Sequence, residues 1–166
     1  MTPITYRLLT VKDAALFRKV RLRACREEPD AFLEAYEEIA KISVTGSRRY
    51  FKNGWISGAF NAEALVGITG LYRHKGIKVQ HKGTLWGVYV APEARGRGIA
   101  RHLIKMVLNE AAHAGLELVH LTTNVKTPLT IELYKSLGFE PWGVEKHIMK
   151  LPDHYVDDVV MTKYLN

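Results

Sequence analysis

The spacing of apolar positions changes repeatedly along this chain, and each change marks a new kind of element. Residues 4–9 read as an edge strand. Thr10 followed by Asp13 resembles a capping box with Asp in place of the usual Glu. Residues 13–26 then carry Leu16, Phe17, Val20 and Ala24 at helical intervals. Glu28-Pro29-Asp30 breaks that helix. Residues 31–42 read as a second, acidic helix, and residues 45–52 as a short third one before Asn53-Gly54. From Trp55 the pattern turns to β-branched and aromatic runs, so 55–60, 65–72 and 84–90 read as three antiparallel strands. Asn61-Ala62-Glu63 closes the first hairpin, and residues 74–83 form a longer polar connection.

The clearest helical period follows Pro92. Ala100, Leu103, Ile104, Val107, Leu108, Ala111 and Ala112 form one apolar stripe, and Gly115 supplies a C-terminal stop. Residues 116–122 read as a strand. Thr127-Pro128 looks like an N-cap followed by proline at the first helical position, opening a helix that runs to Leu137 and closes at Gly138. Residues 139–149 and 155–164 read as the last two strands, joined by the turn Leu151-Pro152-Asp153-His154. Strands and helices interleaved in this order describe an α/β fold with a mixed sheet.

Length and composition narrow the class. The 166 residues fit one domain, 1–166, without repeat or linker, and 47% hydrophobic with 25% charged residues is ordinary for a globular chain. No apolar run approaches the ~20 residues that span a bilayer, and the N-terminus lacks a signal core, so the expectation is a cytoplasmic protein with no membrane partner. Cys25, the lone cysteine, sits in a helical pattern and reads as a small buried residue. The histidines show no ligand spacing, so no metal is expected. A net charge of +7 favours an anionic partner. The basic residues are scattered, however, and lack the clustered basic and aromatic face that nucleic-acid binding needs, so no nucleic acid is expected.

One segment carries chemistry. Val88-Tyr89-Val90 ends a strand, and after Pro92 the chain re-enters a helix through Arg95-Gly96-Arg97-Gly98-Ile99-Ala100. Helix N-termini expose unpaired N–H groups and partial positive charge, and glycines let a phosphate approach the backbone. The segment therefore suits a pyrophosphate. It is not a Walker loop, since no Gly-Lys-Ser/Thr ends it, and it lacks the third glycine of the dinucleotide fingerprint, where Arg101 stands.

The order of apolar strand, Pro, Arg-Gly-x-Gly-Ile-Ala and long helix resembles the GNAT superfamily of N-acetyltransferases, whose coenzyme motif R/Q-x-x-G-x-G/A is filled by Arg95, Gly98 and Ala100. A second match follows at the right spacing, where Leu133, Tyr134, Gly138 and Phe139 resemble the family's L-Y-x-x-x-G-F. The resemblance implies a mixed, mostly antiparallel sheet of about six to seven strands flanked by helices. It also implies acetyl-CoA as co-substrate. The pantetheine arm would pair with Val88, Tyr89 and Val90, and the pyrophosphate would sit on the amides of Arg95, Gly96, Arg97, Gly98, Ile99 and Ala100. Tyr134 stands where the family's general acid protonates the departing thiolate. The family's frequent Asn, seven residues before that tyrosine, is here Thr127, which retains a hydroxyl for the coenzyme.

The strand over 84–90 contains no carboxylate to act as base. Glu34, Glu37, Glu38, His74 and His81 are alternatives, with a base acting through water equally open. The acidic stretch Glu34 to Glu38 would attract a cationic amine, whereas the net charge favours an acidic macromolecule. A small-molecule amine and a protein N-terminus or lysine therefore both stay open as acceptors. A module that binds acyl-CoA without turnover is the alternative function. A homodimer, with Trp142 and the last strand at its interface, is the candidate assembly.

Overall fold

The computed structural model describes residues 3–165, whose strands join into one seven-stranded sheet. In chain order the elements are β1 (Ile4–Leu8), α1 (Ala14–Glu27), α2 (Tyr36–Lys41), α3 (Val44–Ser47), β2 (Gly54–Asn61), β3 (Ala64–Arg73), β4 (Lys82–Val90), α4 (Ile99–His113), β5 (Leu118–Asn124), α5 (Pro128–Ser136), β6 (Glu140–Lys150) and β7 (Tyr155–Tyr164). The strand order is β1-β2-β3-β4-β5-β7-β6. Every neighbouring pair is antiparallel except β4 and β5. The mixed, mostly antiparallel sheet expected from the sequence is present.

β3 is buried continuously from Leu65 to Leu71, as a strand covered on both faces must be. On one face lies α4, where the Ser57 hydroxyl of β2 donates to the Leu103 carbonyl at 3.0 Å. On the other, the Trp86 indole of β4 lies directly across Gly70, where a Cβ would stand 2.2 Å from Trp86 Cε2. Trp86 in turn meets Phe17 of α1 edge-on at 6.1 Å and Tyr50 at 5.6 Å. Leu103, Ile104, Val107 and Ala111 of α4 are fully enclosed, each large side chain contributing about 1.5–3 kcal/mol by leaving water.

Both long helices of the second half end by one device. Leu116 N–H donates to Ala111 O and Gly115 N–H to Ala112 O, while Phe139 N–H donates to Tyr134 O and Gly138 N–H to Lys135 O. These are Schellman closures with a left-handed glycine, φ +77° at Gly115 and +89° at Gly138. The second one folds Phe139 back against Tyr134, ring centroids 5.9 Å apart.

Four expectations need correction. Residues 31–42 are not one helix. Pro29–Ala31 forms a 3-10 turn, Phe32 is extended, and α2 starts only at Tyr36, where the Glu38 carboxylate accepts from Ala35 N–H at 2.9 Å. The extended stretch lets the Phe32 ring reach the core. Leu16 is 40% exposed, because the buried stripe of α1 runs through Phe17, Val20, Arg21 and Ala24. In α4, Ile99 heads the buried stripe and Ala112 is exposed. Thr127 does not cap α5 with its side chain. Its hydroxyl instead donates to Asn124 O at 2.7 Å, and Pro128 takes the first helical position, where no N–H is needed. The Thr10–Asp13 capping box is present as read, and Cys25 is buried.

Candidate functional site

β4 and β5 run parallel but pair over only three rungs, Lys82 with Leu118, Gly83 with Val119 and Thr84 with His120. Beyond Thr84 the strands part, leaving the β5-facing edge of β4 unpaired up to Val90. A bulge in β4 opposite Thr69 follows, with Gly87 at φ +64°. Ala91 N–H donates to Val66 O, so the alternation of an antiparallel ladder turns the Val90 amide away from β3 and into the gap. The gap thus has an open strand edge, as ligand crevices at the carboxyl ends of parallel strands do.

The gap leads to the N-terminus of α4. Gly98 is the N-cap residue at φ +72°, Gly96 has φ +75°, and the first helical bond runs from His102 N–H to Gly98 O. The N–H groups of Ile99, Ala100 and Arg101 therefore lack partners within the helix, and the positive end of a 15-residue helix dipole lies behind them. Only glycine adopts these left-handed angles freely.

Val88, Tyr89, Val90, Arg95, Gly96, Gly98, Ile99, Ala100, Thr127 and Tyr134 line one cleft of about 600 Å³. Arg97 lies on the same turn, outside that lining. The side chains of the turn are less free than the sequence suggests. Arg95 Nε donates to Val90 O at 2.9 Å, so this carbonyl is already engaged, and its Nη2 pairs with Glu28 at 2.8 Å. Arg23 grips Glu93 through two bonds of 2.7 and 2.8 Å and pairs with Glu27, holding the Glu93 carboxyl down at about 2. The Tyr89 hydroxyl donates to Glu27. Its side chain thus points into α1, leaving the backbone as the part of Tyr89 that faces the gap. Ile99 is likewise a core side chain.

Tyr134 is 5% exposed, and burial together with the nearby Asp158 carboxylate pushes its phenol well above the usual range. Among the described residues its hydroxyl has no hydrogen-bond partner. Burial thus keeps the phenol protonated in the lining of the cleft. Asn124 closes the far end of β5, accepting from Lys126 N–H at 2.8 Å.

The cleft continues past Trp86 and Gly87 into a second chamber of about 840 Å³, whose walls include Arg21, Phe32, Glu34, Arg49, Tyr50, Tyr72, Thr84, His120 and Glu145. Of the alternatives read as bases, Glu34 reaches this chamber but is held by Arg21 at 2.7 Å and the Tyr50 hydroxyl at 2.6 Å. Glu37 and Glu38 lie outside it, His74 Nε2 is bonded to Thr84 Oγ1 at 2.8 Å, and His81 is not part of the wall. Sequence reasoning missed His120, Arg21 and Trp86. His120 stands on the last paired rung of the fork, with Nδ1 on Thr162 Oγ1 at 2.7 Å, and burial with the nearby Lys82 charge lowers its pKa. Its only sequence signal was a polar residue between apolar neighbours in a strand.

Among the described residues no helix is long and apolar enough to cross a membrane. Comparison with known proteins agrees with the geometry. Residues 19–139 match the model of the acetyltransferase (GNAT) family. An N-acetyltransferase of Methanocaldococcus jannaschii, itself uncharacterized, is 40% identical over 63 residues, which are 38% of this chain and 26% of that protein. The chain thus spans about a quarter of that relative's length. The ribosomal protein bS18-alanine N-acetyltransferase of Salmonella typhimurium is 25% identical over 83 residues, 50% of this chain and 56% of that one. The Salmonella typhimurium protein yncA, solved with its cofactor acetyl-CoA, superposes with a TM-score of 0.85 at 16% identity over 99% of this chain and 95% of that one.

Proposed function

The chain belongs to the GNAT acetyltransferase family, and from that premise we propose that it moves the acetyl group of acetyl-CoA to a primary amine by direct attack in a ternary complex. The observation that carries this reading is the fork between β4 and β5, open on one strand edge and backed by the glycine turn of α4. The pantetheine arm lies along Val88 to Val90 as an added strand, held by backbone groups. The pyrophosphate rests on the amides of Gly96 to Ala100, since the Arg95 N–H expected to join them already donates to Pro92 O, and Thr127 faces the same arm.

The amine nitrogen attacks the thioester carbonyl, and the tetrahedral oxyanion accepts from the Val90 N–H. The C–N bond forms, the C–S bond breaks, and the thiolate takes the Tyr134 proton. The proton the amine gives up leaves through water, since His120, level with Thr84, stands roughly 20 Å along β4 from Val90. Both acceptor kinds weighed from the sequence, small amines and protein N-termini or lysines, fit this chemistry. The assay is release of free coenzyme A thiol from acetyl-CoA as amines are added. Thiol release that requires an amine, with no acetyl group left on the protein by intact mass, supports direct transfer. Tight acetyl-CoA binding with no release for any amine would identify a binding module instead.

A further inference from the structure

The acceptor chamber contains a guanidinium whose hydrogen bonds are incomplete. Arg21 is 3% exposed and lines the chamber, yet Nη2 alone has a partner, Glu34 at 2.7 Å. Its Nε and Nη1, and the Nε1 of the neighbouring Trp86, are shielded from solvent and have no hydrogen-bond partner among the described residues. The Arg21 guanidinium stands 5.5 Å from the Trp86 ring and 5.2 Å from Phe32. These three orphans are all donors, and a buried donor left unpaired costs about 1–3 kcal/mol. What would complete them is an oxygen acceptor.

Charge points the same way. Glu34 is shared by Arg21, the Tyr50 hydroxyl at 2.6 Å and Arg49 at 3.8 Å, so this part of the wall sets two guanidiniums against one carboxylate. Glu145 adds a carboxylate elsewhere on the wall, without a contact to Arg21. Glu34, part of the acidic stretch expected to draw in a cation, therefore does not present a free negative charge to the chamber. Position matters too. Arg21 Nη1 is 3.4 Å from where a Cβ on Gly87 would stand, and Gly87 lines both the cleft and the chamber. The unpaired Nη1 thus lies beside the junction of the two, and the glycine places no side chain between.

We propose that Arg21, with Trp86 Nε1, anchors an anionic oxygen group carried by the acceptor close to its amine, so that the acceptor is a zwitterion of the amino-acid type. This rests on the acetyltransferase reading of the same cleft. Nη1 takes one oxygen of the anionic group in a charge-assisted hydrogen bond, while Nη2 keeps its bond to Glu34. The amine two bonds away then reaches the thioester. Polyamines and protein N-termini, which lack a neighbouring carboxylate, are disfavoured.

The test uses the full chain with acetyl-CoA and the twenty common α-amino acids, each beside its α-carboxamide. At least one free acid should exceed its amide in kcat/KM by roughly 10- to 100-fold. In Arg21→Met that gap should close to within about threefold while the acetyl-CoA KM holds, and Arg21→Lys should restore part of it. A second arm titrates the N-acetyl amino acids into the coenzyme A complex, where wild type binds and Arg21→Met does not. The proposal is overturned if no acid beats its amide, if the gap survives in Arg21→Met, or if no N-acetyl amino acid binds wild type. Thiol release with amides as fast as with acids defeats the anchor and leaves the enzyme reading intact. Absence of thiol release with every amine defeats the enzyme reading, and the titration still decides the anchor.

Discussion

The two walls of the cleft are built from different materials. The wall proposed for the coenzyme consists of the Val90 amide, the turn from Arg95 to Gly98 and the first amides of α4, with the Arg95 and Tyr89 side chains tied to other groups. The wall proposed for the acceptor is made of side chains from α1, the stretch before α2, the turn after α3, and β3 to β7. A backbone wall recognises a group common to every acyl-CoA and needs only a few glycines at fixed spacing. A side-chain wall can be rebuilt residue by residue for a new acceptor. The coenzyme is therefore the readable half of this chemistry and the acceptor the variable half.

Tyr134 lines the first cleft, and it gives the largest expected effect. Tyr134→Phe removes one hydroxyl and keeps the ring that packs on Phe139. It should lower kcat by roughly 10²- to 10⁴-fold while leaving acetyl-CoA affinity and the melting temperature near wild type. A variant with unchanged kcat would make Tyr134 only the residue that closes α5 against Phe139. The two roles are separable because the Schellman contact uses the ring and the chemistry uses the oxygen.

The next prediction breaks one wall alone. Gly98→Val places a β-branched residue at φ +72°, a strain of about 1–3 kcal/mol, and puts a side chain in the approach of a phosphate. Acetyl-CoA affinity should fall roughly 10- to 100-fold in a titration. Arg97→Ala, which alters charge and no backbone angle, should cost only a few fold. Comparable losses would mean that charge, rather than amide geometry, holds the coenzyme.

The same contrast explains what the sequence disclosed. α4 was legible because its apolar stripe, its glycine entry and its glycine exit all agree, and the Leu133 to Phe139 motif is in part a folding signal, a left-handed glycine with a flanking hydrophobic contact. The stretch 31–42 was misread because Ala, Leu and Glu favour a helix locally while the core demands an extended Phe32. Arg21 was hidden by its type, since an arginine on an amphipathic helix ordinarily faces water. Its burial depends on Phe32, Glu34 and Trp86, which are adjacent only after folding. Nor does periodicity reveal that β4 and β5 part after Thr84. A bulge follows the parting, and its local trace is Gly87 inside a strand.

The smallest expected effect concerns what steadies the acceptor wall. Asp13 sits at the start of α1, the helix that carries Arg21, and two bonds of 2.7 and 2.9 Å tie it to Arg7 on β1. The Arg7 guanidinium and the Thr10 N–H hold the Asp13 carboxyl at about 2, below its ordinary 3.8. A carboxyl depressed in the folded state contributes stability that is fully present above the unfolded value and is lost as pH falls through the folded one. The tie should therefore weaken between pH 3.8 and about 2. Arg7 is half exposed, so screening limits the contribution to about 1 kcal/mol, or roughly 2–4 °C in melting temperature. Asp13→Asn should melt lower than wild type by that amount at pH 6, and the difference should shrink by more than half at pH 2. Glu93 titrates in the same range but identically in both proteins, so it cancels. A gap of equal size at both pH values would assign the stabilisation to the Thr10 capping box rather than to charge, and α1 would then rest on the sheet by packing alone.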